Sequence, residues 1–418
     1  MIDAVVLLRA FGLALFGLAG AILPISAAIR EARKPRDPDP LDIDSRYRKD
    51  DRYFAKSFEN LLINAIGRAP RPSGTRVARL HRDETVQTII GPVTLRAADV
   101  HAHIYDVEGD LDIELGSTVS NEVVVRGSAH IGEDVRLRAL KADGDVTLEA
   151  RVDVERWIDA GGRLRAGEGT RLGARATAVG EVILGADVLF HLLSGSRIVV
   201  GDADGPTVKL LEPAAEPPNV VEFVKDDRFR IRADGALLVE ADFSLPENVA
   251  AAGNVIAHGT IHLGPNSRIH GSLHSDSNVV MDDGAMVDGS VYAERDLLVG
   301  VGAVIAEHAV TAGSATVRSR GRIGSPGRVT TLLVDGTVEL WPGAVVYGRI
   351  VAAGGGRTRS ESNNQNPVKP FSRTAPSRRR RDVSSEQTTD LPAARLRRSR
   401  CGGDRFLLRL VRLINQNV

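Results

Sequence analysis

Aliphatic residues two positions apart return at a near-constant interval along the chain. Leu111 and Ile113, Ala129 and Ile131, Val146 and Leu148, Leu164 and Ala166, and Val182 and Leu184 form one run. Phe243 and Leu245, Ile261 and Leu263, Val279 and Met281, and Leu297 and Val299 form a second, which Val338 and Leu340 rejoin later. The step is 18 residues, with Val146 arriving one residue early. A fixed period of this size predicts a solenoid, in which each repeat buries its apolar side only against its neighbours. Within the second run, Val255 and Ala257, Ile261 and Leu263, and Ser267 and Ile269 alternate with period two. That alternation marks short strands with one face inward, and three per period make a three-sided coil. The fold class expected is therefore all-β: a parallel β-helix whose equivalent positions stack as ladders.

A second periodic slot follows each pair by three residues: Gly116, Asp134, Arg151, Gly169, Asp187, Asn248, Asn266, Gly284, Gly302 and Gly343. Apart from Arg151 these are the residue types that tolerate positive φ, so the slot predicts a left-handed corner in every coil. Three residues further on stand Val119, Leu137, Val154, Leu172, Phe190, Ala251, Ile269, Val287, Ile305 and Val346, which are expected to point inward.

The interruptions of the pattern divide the chain. Val93 and Leu95 precede Leu111 and Ile113 by one period, so the first coil is expected near Thr88 and a first block over 89–200. Pro206, Pro213, Pro217 and Pro218 are poor ladder residues and mark 201–242 as an insertion. A second block covers 243–352, with a looser coil around Gly313, Gly321, Gly324 and Gly327. Segment 37–88 reads as a linker with a short amphipathic helix, its apolar face formed by Phe54, Phe58, Leu61, Leu62 and Ala65.

Composition fits a narrow interior. With 42 Gly and 4% aromatic residues, the core has to be built from Val, Ile, Leu and Ala. The lone Cys401 excludes a disulfide framework. Lys plus Arg equals Asp plus Glu at 54 each, but 15 basic and 5 acidic residues follow Gly354, leaving 39 minus 49, or −10, before it. In 1–36 an uncharged apolar run from Ala10 to Ile29 is flanked by Arg9 and by Arg30, Arg33, Lys34 and Arg36. It predicts a single membrane anchor with the remainder on the cytoplasmic side of the inner membrane. Export after signal-peptide cleavage near Ser26, Ala27 and Ala28 is the alternative.

Residues 253–307, and the closing run VELWPGAVVYGRI at 338–350, resemble the bactofilin, or polymer-forming cytoskeletal, family. The resemblance implies a right-handed parallel β-helix between flexible tails, assembly end to end without nucleotide or other cofactor, and in many members membrane binding. This chain differs in having two ladder blocks, an insertion between them and a long basic tail. The function expected is that of a membrane-associated, non-enzymatic scaffold, with further copies of itself, membrane lipids and unidentified client proteins as partners.

Periodicity makes end-to-end association physically reasonable by itself, because the end of a solenoid is a sheet edge. Trp341 and Tyr347, in the last recognisable coil, are the candidate polymer contacts. In the tail 353–418 the segment RFLLRLVRLI sets Phe406, Leu407 and Leu410 against Arg405, Arg409 and Arg412, the candidate membrane-surface residues. Few aromatics accompany the arginine clusters, which disfavours nucleic acid.

The rival reading is a left-handed hexapeptide-repeat β-helix acyltransferase, whose coils also take about 18 residues and whose scaffold carries a catalytic or metal-binding His. His258, His262, His270 and His274 invite it. Their register places them on the outside, and no HExxH or phosphate-binding GxxxxGK[ST] sequence accompanies them. No catalytic, cofactor or metal residue is assigned.

Overall fold

The computed structural model describes residues 50–66, 76–81, 84–201, 219–221, 229–232 and 235–360. They form a β-solenoid of about 14 turns with one helix, α1 (Tyr53–Ile66). Each coil has three sides. In the first block, side one stacks Val93–Leu95, Leu111–Ile113, Ala129–Ile131, Val146–Leu148, Leu164–Ala166 and Glu181–Leu184 in parallel register. The early arrival of Val146 is absorbed where sides two and three meet, at the register shift between Val119 and Glu122. The second block stacks Leu237–Val239, Phe243–Leu245 and Val249–Ala252 beneath their equivalents and continues to the strand Val345–Thr358. Its looser coil keeps every ladder paired, Ala309 under Leu332 and Ala315 under Val338. The added residues bulge out around Gly324 and Gly327, both at positive φ.

All the predicted corner residues are left-handed, with φ between +53° and +78°. Two further coils reveal the same slot in Ala98 and Arg320. Arg151 occupies it by exchanging backbone strain for ion pairs, its guanidinium lying 2.7 Å from Asp134 and 2.9 Å from Glu133 in the coil below. The residues expected to point inward are all buried.

The other corners carry a signal that the apolar pattern does not contain. Gly127, Gly144, Gly162 and Gly180 stack one above another, each N–H donating to the glycine carbonyl one coil earlier at 2.9 to 3.0 Å. An added Cβ on Gly271 would stand 2.4 Å from the Gly253 carbonyl oxygen, so backbones here approach too closely for a side chain. Elsewhere Asp and Asn side chains serve the next coil: Asp110 accepts from Ser128 N–H, Asp242 from Thr260 and Asn254 from Ser272, each at 2.8 Å.

Several boundaries differ from those expected. The first coil begins at strand β2 (Glu84–Ile90), against which β1 (Arg76–His81) folds back antiparallel. Inside 201–242, Asn219–Val221 and Leu237–Val239 already belong to ladders of the second block. That block runs past residue 352 to Thr358. The proposed anchor in 1–36 and the segment Arg405 to Arg412 lie outside the described residues. Among the described residues no helix is long and apolar enough to cross a membrane.

Candidate assembly surfaces

The two blocks meet through their last coils. Strand Leu189–Val200, which closes the first block, pairs antiparallel with Val345–Thr358, which closes the second. All three sides take part. On one side Gly343 N–H donates to Val200 O at 2.7 Å and Val200 N–H to Ala344 O at 3.1 Å. On the next, Leu193 faces Ile350 and Gly195 faces Gly348. On the third, Thr358 N–H donates to Val188 O, while its Oγ1 accepts from Val188 N–H and donates to Gly185 O. The apolar interior runs through without a break, from Leu184, Phe190 and Ile198 to Leu340, Val346 and Ile350.

Two ion pairs tie the rim: Arg357 to Asp187 at 2.5 Å, and Arg349 to Asp51 at 3.0 Å. Both place arginine on the second block and aspartate on the opposing side. The surfaces are also keyed in shape, because Phe190 lies where a side chain on Gly356 would have to go. Tyr347 is buried here against Val199 and Val345, and Trp341 is 8% exposed in the corner of the preceding coil. The structure therefore brings both candidate contact residues to the end of the second block, where the partner surface is the chain's own first block.

Asp51 stands in the turn just before α1, which lies across the outer face of side three. Outward positions that would normally be solvated are buried beneath it: Glu122, Val124, Ala139, Lys141 and Asp159. Arg52 donates to Asp159 through Nε at 2.8 Å and Nη2 at 2.7 Å, and Thr177 Oγ1 donates to the same carboxylate. Glu59 pairs with Arg126 and with Lys141, Phe58 tilts against Trp157 at 6.2 Å, and Leu62 closes over Val86, Ile104 and Val124. Arg175 Nη1 donates to the carbonyls of Asp50 and Asp51 and covers the Phe54 ring at 5.1 Å. The helix face differs from the expected one. Ala55 and Leu62 are buried, whereas Phe54 and Leu61 are 43% and 49% exposed. Helix pitch sets Ala55, Phe58, Glu59 and Leu62 on one side, and the charged ladder below has to be matched by Glu59.

At the opposite end of the first block, Val93–Leu95 and Val100–His101 pair along one edge only among the described residues, and Val100 is 67% exposed. These two sides present an unpaired edge among the described residues, flanked by Arg96 and Asp99, whereas β1 covers the third side of the coil.

The histidines sit on the outside as their register predicts, and only His258 and His274 come together, on one carboxylate. His258 and His274 both pair with Asp276, at 2.6 and 3.1 Å, His262 with Asp282 and His270 with Asp288. His274 also stacks on Tyr292 at 4.8 Å. Burial raises the Asp276 carboxyl, but hydrogen bonds to His258 and His274 outweigh it, and the group ionises below the usual carboxylate range. Among the described residues no group of three or more His, Cys, Asp and Glu could hold a metal ion.

In the first block, His130 bridges Asp112 at 2.8 Å and Glu149 at 3.2 Å. The hydrogen bond to Asp112 holds its pKa above the ordinary value of 6.5, partial burial opposing and Glu149 assisting. A raised histidine pKa means that the pair stabilises the fold below the ordinary value and that this contribution fades as pH rises through the folded value. An NMR titration should place the His130 midpoint above about 6.5, and Asp112→Asn should bring it down towards that value. An unchanged midpoint in the variant would remove Asp112 as the cause. Since His130 is half exposed, the effect on overall stability is small.

Comparison with known protein families, with curated proteins and with solved structures found no match.

Proposed function

We propose that this chain is a structural protein of the bactofilin type, which assembles through its solenoid ends into a scaffold or cytoskeletal polymer at a membrane, without nucleotide or catalytic chemistry. The observation that carries the reading is the contact between the two blocks. Two solenoid ends, each a sheet edge on three sides, satisfy one another directly, with every ladder continued and the core unbroken. End-to-end mating of coils is the chemistry such a polymer requires. The open edge at Val93–Leu95 and Val100–His101 offers a further surface of the same kind. Attachment to lipid rests on the apolar run within 1–36 and on Arg405, Phe406, Leu407, Arg409, Leu410 and Arg412, and the partners are other copies of the chain and the clients that the polymer positions.

Electron microscopy of the purified full chain, in detergent and after reconstitution into vesicles of mixed neutral and anionic lipid, tests the reading. Filaments or membrane-bound arrays whose axial repeat matches stacked coils are expected. Discrete particles at all concentrations would overturn it, and acyl transfer from coenzyme A by the same sample would replace it with the acyltransferase alternative.

A further inference from the structure

We propose that the block-to-block junction is an exchangeable association surface. The last coil of one copy's first block can pair with the last coil of another copy's second block, and α1 acts as the latch that keeps the junction closed within one chain.

Four observations carry this. The junction is made by strand edges separated by more than a hundred residues of sequence, and each block's own ladders are complete without it. The same pairing is therefore available to any second copy presenting the same edge, as in domain swapping. The contact is also heterotypic. Arg349 and Arg357 on the second block's rim pair with Asp51 and Asp187 on the first block's side, where Arg175 also lies near Arg349, and a side chain on Gly356 would collide with Phe190. Pairing like ends would oppose arginine to arginine or aspartate to aspartate, so exchange joins first block to second and can propagate as an open chain.

Reach permits it. Six ladder steps lead from Asn219 up to Val345, about 29 Å at about 4.8 Å each. The chain between Gly201 and Asn219 takes 18 peptide steps, able to span about 60 Å when extended. Half of that length is spare for reaching a copy lying alongside. Finally, Asp51 is the contact to the second block that comes from outside the stacked coils. Through Arg52, Phe58, Glu59 and Leu62 it is anchored along the first block.

Full-length chains with Cys401→Ser and a single new cysteine, Val199→Cys or Val345→Cys, test the exchange, because these residues face each other across the junction. The doubly substituted chain should close a disulfide within itself, which establishes the geometry. After the two single-cysteine chains are unfolded and refolded together, oxidation should yield a disulfide-linked mixed pair whose fraction rises with protein concentration. Asp51→Asn should speed pair formation between folded chains about twofold to fivefold, the worth of one such ion pair. No mixed pair after co-refolding, with the double variant closing normally, would overturn the proposal, as would like-with-like pairs forming as readily as mixed ones. The proposal deepens the self-assembly reading, and the two fail separately: mixed pairs without filaments leave exchange standing, and filaments without mixed pairs leave only the polymer.

Discussion

Gly356→Val should separate the two blocks of a chain whose individual coils remain intact. A Cβ at this position would stand 2.1 Å from Cε2 and 2.3 Å from Cζ of Phe190. Phe190 is 2% exposed and is packed in the common core, so its ring has nowhere to swing. Overpacking a closed interior costs about 3 kcal/mol, and valine adds two further carbons beyond the clashing one. Hydrogen exchange reads the result directly: amides of Leu189–Val200 and Val345–Thr358 should lose protection while the inner ladders, such as Ile261–Leu263, retain it. Phe190→Ala in the same chain should restore much of the protection by vacating the space, a coupling expected of residues in contact. Full protection in the single variant would refute the contact as described.

The second large effect is expected from Asp159→Ala. This carboxylate is 2% exposed and holds the Arg52 guanidinium by two hydrogen bonds. Its loss leaves Arg52 without its partner and removes the closer of the two acceptors of Thr177 Oγ1, which keeps the Ile158 carbonyl at 3.3 Å. Breaking a fully buried pair from one side costs 3 to 5 kcal/mol, but Arg52 keeps 26% of its side chain in solvent, which lowers the expectation to about 2 kcal/mol. That is enough to release a helix of 14 residues which has little stability of its own. Trp157, against which Phe58 packs, should then show red-shifted emission, and trypsin should cut after Arg52 or Lys56. Emission and cleavage like those of the parent chain would show that α1 is held by its apolar contacts alone.

The solenoid is legible in the sequence because each coil repeats the same two demands, an alternating inward pair and a positive-φ corner. Arg151 obeys the corner rule despite its side chain, and Ala98 and Arg320 hide it because their coils carry no Gly, Asn or Asp there. What the sequence does not display is contact made without repetition. The antiparallel meeting of two last coils occurs once, so it leaves no period. The ladder Asp106, Val124, Lys141, Asp159 and Thr177, with three charged members, looks like an ordinary solvated face until α1 is laid over it. Phe54 and Leu61, two of the large apolar residues of that helix, turn outward because Ala55 and Glu59 meet the ladder. Trp341 and Tyr347 stand out in a chain with few aromatics, yet only the fold tells which surface they face.

The junction also sets an order of events during synthesis. Val200, the last residue of the first block's closing strand, leaves the ribosome 145 residues before Val345, the first residue of its partner strand. At translation rates of about 5 to 20 residues per second, the completed first block waits roughly 7 to 30 seconds with its final coil uncovered, while coils form in far less time. Chains growing side by side on one message hold such ends at high local concentration, so whether a copy closes on itself or on its neighbour is decided largely before it is released.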